Sequence, residues 1–535
     1  MKKRKTILIV GGGFGGVRCA LELARKTRAS DCRIILLSDK PHFEYTPSLY
    51  KVATGRSPLE VCIPLREIFN RTKVDVCVET VTEVRTSEKQ VFGASGLRYS
   101  YDFLVLGLGS ETDFLGIPGI EQAALKFKTL TDALRLNWHM ADLFEKVRSY
   151  SPLDQTVPAA QIVVIGGGYT GIELAGAIAV HARDKLRRFG FDSSLIRVNI
   201  VEASSRIMPS LPHRVSRSIV CRLNRLGVII TTDRPIKAED VESSDFFRGA
   251  VAEKTLVFTA GTCINKVYKR IEGLVFDKRG RVVVDRFLRA RGLRDVFVIG
   301  DAAAVRWSGM AQTALYDGRY TARVIAASLS RRRKNAYRPA KPASITPVGH
   351  GWAAAVFSRV IVYGFLGFFV RELADLRFFL SILPASRAIS VWRSARKVDI
   401  NNNDNSYTYM DTMKKAQWVL RIAVAGEFIG HGVFALGVKA GWIKYFTALG
   451  LSSGFAESAL PIIGVIDIAV ALLVLIKPVR IALLWMALWG FWTALLRPIG
   501  GDPIWDFVER FANWGAPLAL LVLIGFPKKL KEWFQ

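Results

Sequence analysis

Apolar residues along this chain fall into three patterns. Short unbroken runs at Thr6 to Val10, Arg33 to Leu37, Gln161 to Ile165, Ile196 to Val201 and Asp295 to Ile299 have the length and continuity of buried parallel strands. Helical spacing follows the first and third of them, over Gly16 to Arg25 and Gly171 to Arg187. This is the order of an α/β protein with a parallel sheet. Later, Gly351 to Leu383 is apolar but interrupted by Arg359, Arg371, Glu372, Asp375 and Arg377. Beyond it stand four apolar runs, roughly 416 to 438, 456 to 476, 479 to 496 and 512 to 526. The first two are long enough to span a bilayer; the last two are marginal and need flanking Trp and Arg. The expected architecture is an α/β region followed by an α-helical transmembrane bundle.

Two glycine motifs sharpen the α/β half. Gly11-Gly12-Gly13-Phe14-Gly15-Gly16 and Gly166-Gly167-Gly168-Tyr169-Thr170-Gly171 each follow a strand and open a helix. In G-x-G-x-x-G the first glycine makes the turn, the second admits a pyrophosphate, and the third lets helix and strand pack closely. The phosphates then rest on unpaired N–H groups at the positive helix end. A carboxylate for the adenosine ribose is expected after the next strand, and Ser38-Asp39 and Glu202 stand there. One such motif alone fits an ordinary strand-to-helix turn. Two copies, each with strand, helix and acid, point to a double Rossmann, two-dinucleotide-binding chain. The strand ending in Gly300-Asp301-Ala302 marks the return of the first fold and resembles two-dinucleotide flavoproteins, where the carboxylate meets the ribityl chain. In isolation it would read as a strand with an Asp cap.

A length of 535 residues allows three or four domains. The expected divisions are 1–115 and 266–330 for the first nucleotide fold, 116–154 for a helical connection, and 155–265 for the second nucleotide fold. Residues 331–398 are expected as membrane-interface helices after a strand-and-turn passage at 331–349, 399–412 as a polar linker, and 413–530 as the four-helix bundle. The net charge of +29 is spread through folded patterns, with only short runs such as Arg331 to Lys334. Attraction to an anionic membrane surface accounts for it without a nucleic-acid partner. Six cysteines without C-x-x-C argue for a reducing compartment and against a redox dithiol, and no metal-ligand cluster is present. The basic start, Met1 to Lys5, lacks a secretory apolar stretch, so the flavin half is expected in the cytoplasm.

The segments Glu44-Tyr45-Thr46-Pro47, Val52 to Gly55, Tyr101 to Gly107, Gly116-Ile117-Pro118-Gly119 and Gly171 to Gly176 resemble type II NADH dehydrogenases over residues 5 to about 385. Disulfide reductases fit less well, since they need paired cysteines; sulfide:quinone oxidoreductases lack a convincing cysteine counterpart here. The resemblance implies FAD against Gly11, Gly13, Phe14, Gly15, Gly16, Ser38, Asp39, Thr46, Pro47, Val81, Gly109, Gly300 and Asp301. It implies NADH as substrate at Gly166, Gly168, Tyr169, Gly171, Glu202 and Gly261, and a membrane quinone as acceptor. Glu202 would bond the ribose hydroxyls and repel the phosphate of NADPH. Glu173 matches a glutamate near the nicotinamide, or is simply an acid in the first turn of a helix. The family's A-Q-x-A-x-Q-x-G appears as Ala311 to Gly318, keeping Gln312 but placing Tyr316 at the second glutamine. A tyrosine hydroxyl can donate to a carbonyl, yet its bulk leaves quinone type and affinity open.

The charges within 351–383 suit a helix lying in the interface better than a span. Arg421, Glu427 and His431, in Leu420 to Gly432, resemble the opening of the DoxX-like four-helix membrane family, with Asp467 and Arg497 on other helices. Such groups are costly at that depth unless paired within the bundle. Lys414-Lys415, Lys477 to Arg480 and Lys528 to Lys531 would face the cytoplasm, and the acidic loop 497–510 the outside. The expected protein is a non-electrogenic NADH:quinone oxidoreductase of the inner (plasma) membrane with a multi-pass C-terminal part. An NAD(P)H-dependent flavin reductase with another acceptor and a flavin-based redox sensor remain alternatives, and a homodimer stays open.

Overall fold

The computed structural model describes residues 4–150, 160–242, 253–358, 360–396, 405–525, 527 and 533. The chain forms two compact units, residues 1–402 and 403–535.

The first unit contains two five-stranded parallel sheets. In one, the strands run Val296–Val298, Phe103–Leu106, Lys5–Val10, Cys32–Ser38 and Val74–Val78. Ile7, Leu8 and Ile9 on the central strand are all 0% exposed, which is why that strand reads as a continuous apolar run. In the other, the order is Ala124–Lys126, Glu253–Phe258, Ala160–Ile165, Ile196–Val201 and Ile229–Thr231. Sheet one is interrupted in sequence between Leu106 and Val296, and sheet two occupies the interval. An antiparallel pair, Ser110–Thr112 with Thr262–Ile264, links the crossing points. The segment 116–154 is not purely helical: it gives sheet two the edge strand Ala124–Lys126 before the helix Leu130–Arg148 begins at a Thr129/Asp132 capping box. A three-residue strand is too short to show a period of two.

Within 331–398, Ser344–Pro347 falls in the expected strand-and-turn passage at 331–349, while two further strands lie beyond it, where helices were expected. Three antiparallel strands, Ser344–Pro347, Ala353–Phe357 and Val360–Val362, precede the helices Gly364–Leu380 and Ala385–Arg396. The first hairpin turns through Gly349 and Gly351, both at φ 67. A short alanine-rich apolar run is equally apolar as strand or helix, so its pattern does not discriminate. The helix Gly364–Leu380 is inverted relative to an ordinary surface helix. Arg371, Glu372 and Asp375 are buried against the protein, while Phe365, at 74% exposed, with Leu366, Phe369 and Leu373 forms an open apolar stripe. A water-facing helix would do the reverse, and such a stripe suits a bilayer interface. Arg359 lies outside the described residues.

In the second unit, Ala416–Leu436, Ser453–Ile476, Arg480–Ile499 and Ile504–Ile524 are long and apolar enough to cross a membrane. The helix carrying the first of them starts at Asn405, so part of the expected polar linker is helical, and 399–404 and Lys528 to Lys531 lie outside the described residues. Extending an existing helix costs far less than nucleating one, so polar residues ahead of a span join it readily. The first two spans touch through backbone: a Cβ on Gly432 would stand 2.8 Å from the Gly464 carbonyl oxygen, and one on Gly464 2.6 Å from that of Gly432. Arg421 turns its guanidinium to the C-terminal carbonyls of the second span, with Nε donating to Val474 at 3.2 Å and Nη2 to Ile476 at 2.7 Å and also to Leu475. A cation there meets the negative end of the helix.

The helix Phe14–Lys26 packs on Ala311–Leu329 with equal intimacy, since a Cβ on Gly318 would stand 2.2 Å from the Gly15 carbonyl oxygen. Gly318→Ala should therefore destabilise the first unit by about 1–3 kcal/mol through overpacking. Thermal unfolding of the purified variant checks this; an unchanged Tm would show that the two helices can part freely.

Candidate functional site

Both glycine turns have the geometry of a phosphate cradle. Gly11 and Gly166 sit at φ 116 and 109, a backbone region reserved for glycine. A Cβ on Gly16 would fall 1.9 Å from the Gly11 carbonyl oxygen, and one on Gly171 1.9 Å from that of Gly166. The middle glycines are the opposite case: Gly13 and Gly168 are exposed, and a Cβ on either would meet nothing within 4 Å. Each caps its helix without a side-chain hydrogen bond and with no acid in the first turn. Free N–H groups thus face open space, which fits the pyrophosphates of FAD and NADH. Gly15 is buried against Ile299, and Phe14 packs edge-on to Phe43 at 4.9 Å.

The two acids that follow the second strands, Glu202 and Asp39, differ. Glu202 closes back on its own turn, accepting from Gly167 N at 2.7 Å and Ser204 N at 2.8 Å. Each oxygen keeps a further lone pair. Asp39 is exposed, while Ser38 is buried with its hydroxyl under Gly12. Tyr169 starts the second fingerprint helix, half-buried. Gly109 and Gly261 turn at φ 71 and 72 beside the paired strands that link the sheets, and Val81 is buried in a separate antiparallel sheet.

Around Gly300-Asp301 the structure adds residues that motif spacing did not supply. Asp301 accepts from the Ser110 hydroxyl, which in turn accepts from Lys128 Nζ at 2.7 Å. Gly300, at φ 72, donates its N–H to Asp317 Oδ2 at 3.0 Å, and Tyr337 donates to Asp317 Oδ1 at 2.6 Å. Burial pushes the Asp317 carboxyl up to about 6 against these two hydrogen bonds. Asp317 stood inside the quoted Ala311 to Gly318 segment, and Lys128 directly precedes a recognisable capping box; neither signal names a role.

A second group surrounds the turn Thr46–Ser48. Arg371 donates to the Pro47 carbonyl at 2.9 Å and pairs with Asp375 at 3.0 Å, and Asp375 accepts from Tyr45 at 2.5 Å. Lys51 stands 3.8 Å from Glu372. These charges, about 330 positions downstream of Tyr45, are what the inverted helix buries. Glu173 lies in their field. Its helix begins at Tyr169, so it sits beyond the first turn and the helix-end role does not apply. Burial pushes its carboxyl up to about 8, Arg371 opposes this, Asp375 adds to it, and Lys51 opposes it. Gln312 and Tyr316 stand one turn apart on an exposed face, with Gln312 Oε1 accepting from Ala343 N at 3.0 Å and the Tyr316 ring 5.7 Å from Tyr337. No shared contact joins this pair to Glu173 among the described residues.

The pyridine nucleotide-disulphide oxidoreductase family matches residues 5–318. The type II NADH:quinone oxidoreductase Ndh of Mycobacterium tuberculosis is 30% identical over 344 residues, covering 61% of this chain and 73% of its own. The chain belongs to the type II NADH:quinone oxidoreductase family. A further member, from Staphylococcus saprophyticus, is 26% identical over 389 residues, 70% of this chain and 95% of that protein. The NDH2 of Plasmodium falciparum, solved in complex with NADH, shares the fold with a TM-score of 0.62 at 15% identity, covering 74% of this chain and 98% of that one. The sulfide:quinone oxidoreductase of Aquifex aeolicus shares it at 0.57 and 18% identity, covering 73% and 92%.

Two outcomes follow for this type II oxidoreductase. Replacing Glu202 by Ala strips charged acceptors from Gly167 and Ser204, contacts worth about 1.5–3 kcal/mol each. NADH kcat/KM should fall about 10- to 100-fold and NADPH kcat/KM less, narrowing the preference; steady-state rates with both nucleotides decide. For Glu173, a folded pKa of about 8 against an ordinary 4.5 means the folded state holds the proton more tightly. Its stabilisation is therefore full below about pH 4.5 and is lost as pH rises through about 8. Glu173→Gln should flatten that part of the Tm-against-pH curve, and an unaltered slope would assign the loss to other groups.

Proposed function

We infer that this chain is a membrane-associated, FAD-dependent NADH:quinone oxidoreductase. The observation that carries the reading is the pair of glycine cradles, each followed by a helix whose first N–H groups have no side-chain cap. When bound, FAD supplies the redox chemistry, accepting a hydride from NADH and delivering its electrons to quinone. The residues of the chain orient, hold protons and exclude water. Glu202 selects the nucleotide through its ribose, and Gly166, Gly168 and Gly171 admit its phosphates. Lys128, Ser110 and Asp301 form a hydrogen-bonded chain at the end of the first sheet, suited to a polyhydroxyl. Glu173 carries a proton at neutral pH beside Arg371 and Asp375 and serves as its donor for the reduced acceptor. Gln312 keeps its amide N–H groups free of its bond to Ala343, and with the Tyr316 hydroxyl offers donors for quinone carbonyls.

The apolar stripe on Gly364–Leu380 and the four spans support attachment to a membrane by both units. We place the N-terminal end of the first span, and residues 1–402 with it, at the cytoplasmic face of the inner membrane. Lys414, Lys415, Lys477 and Arg480 stand at that end, and Lys528, Lys529 and Lys531 follow the last span. The other end carries Lys439, Lys444, Arg497 and Arg510, with Asp502 accepting from Lys444 at 2.5 Å. The DoxX-like reading of the bundle rests on Arg421, Glu427 and His431 alone.

The test is steady-state turnover of NADH with a soluble short-chain quinone, by full-length protein and by a chain ending at Asn402. Both should turn over rapidly, because every residue given a role above lies in the first unit. The shortened chain should still bind vesicles, but high salt or alkali should extract it, since interfacial attachment depends partly on screened electrostatics. A full-length protein that binds NADH yet reduces no quinone would refute the assignment.

A further inference from the structure

Within the membrane unit, the spans line a partly open pocket of about 100 Å³ whose walls come from residues 428–513. It occupies the end of the bundle away from the Lys477 to Arg480 turn, where the latter halves of the first and third spans meet the beginnings of the second and fourth. The short helix Ala440–Ala448 covers it with Trp442, Tyr445 and Phe446.

Its walls carry two chemistries. Aromatic faces from Trp442, Phe446 and Trp489 suit a flat ring. Among them are polar groups that packing alone does not call for. Asp467, only 5% exposed, hydrogen-bonds with Trp489. Arg510 Nη1 stands 3.4 Å from His431 Nε2, and its buried Nε lies 3.9 Å from Glu509 Oε1 with no hydrogen bond among the described residues. Asn513, 7% exposed, lines the same space. Ionisable groups at bilayer depth mark ligand or ion sites, and a space of about 100 Å³, several times the roughly 10–15 Å³ that one water needs, admits a small headgroup. A phosphate would meet the Asp467 carboxylate, and a plain hydrocarbon would leave Arg510 and Asn513 unsatisfied. Donors and an acceptor between aromatic walls suit an uncharged flat head bearing oxygens that alternate between carbonyl and hydroxyl.

We propose that this pocket is a second quinone-binding site, holding the headgroup of a membrane quinone or quinol among Trp442, Trp489, Asp467 and Arg510. The site involves binding alone, with no electron transfer. Its choice of ligand rests on the reading of the chain as a quinone reductase.

Photolabelling of the full-length protein in detergent with a short-tailed azidobenzoquinone, followed by peptide mapping, tests it. Label is expected on peptides within 428–513. Thr493→Leu, which fills the pocket, and Asn513→Leu, which removes a polar group, should each lower that label about tenfold while FAD content and NADH oxidation by ferricyanide stay unchanged. Should both variants insert poorly, competition on the native protein decides: excess decylubiquinone should displace the label, and excess phosphatidylglycerol should not. Displacement by the lipid, or label confined to residues 1–402, overturns the proposal. Normal quinone turnover with an unlabelled pocket removes the site and leaves the activity; a labelled pocket without quinone turnover removes the activity and leaves the site.

Discussion

At each nucleotide turn the backbone of a helix rests on the backbone of the strand that feeds it. The separations, 1.9 Å from a Cβ on Gly16 or Gly171 to a carbonyl oxygen, leave no room for any side chain. That contact brings the first N–H groups of both helices over the ends of their sheets, where no side chain caps them. The nucleotide sites are consequences of this close approach. So is the packing of Phe14–Lys26 on Ala311–Leu329, where Gly318 meets Gly15 and brings Gly300, Asp317, Gln312 and Tyr316 to the same region.

Charge is handled by the same economy of partners in both units. Arg371 and Asp375 are nearly inaccessible and satisfy each other, Pro47 and Tyr45. Removing one member of such a buried pair costs about 3–5 kcal/mol, because the other is stranded. The helix that carries them consequently faces its charges inward and its Phe365 to Leu373 stripe outward, the polarity a bilayer interface requires. Arg421 follows the same rule in the bundle by using the carbonyls at the end of a neighbouring span. Arg510 is held more loosely, with its Nε 3.9 Å from Glu509 Oε1 and no hydrogen bond on that nitrogen among the described residues.

The double nucleotide-binding fold and the membrane bundle were legible because each has a strong local signature. Glycine spacing after an apolar strand, and apolar runs of bilayer length, depend only on neighbouring residues. The placement of Glu202 and Asp301 just past strand ends was legible for the same reason, since each sits at a fixed offset from its strand. The strands at 353–362 were not, because a five-residue alanine and valine run is consistent with either period. The edge strand Ala124–Lys126 was hidden by its length, and the helical extension from Asn405 by its polarity.

By itself the sequence determined the covalent order of turns, strands, helices and spans, and with it the two places where a dinucleotide can lie. Tertiary structure decided which distant residues share those places. Tyr45 and Asp375 are separated by 330 positions, Ser110 and Asp301 by 191, and neither pairing has a periodicity that a one-dimensional pattern could display. It also decided which way the Gly364–Leu380 charges point. The spacing of Arg371, Glu372 and Asp375 is the same for a helix with its charged face in or out, and only the partners waiting on Pro47, Tyr45 and Lys51 turn that face toward the protein.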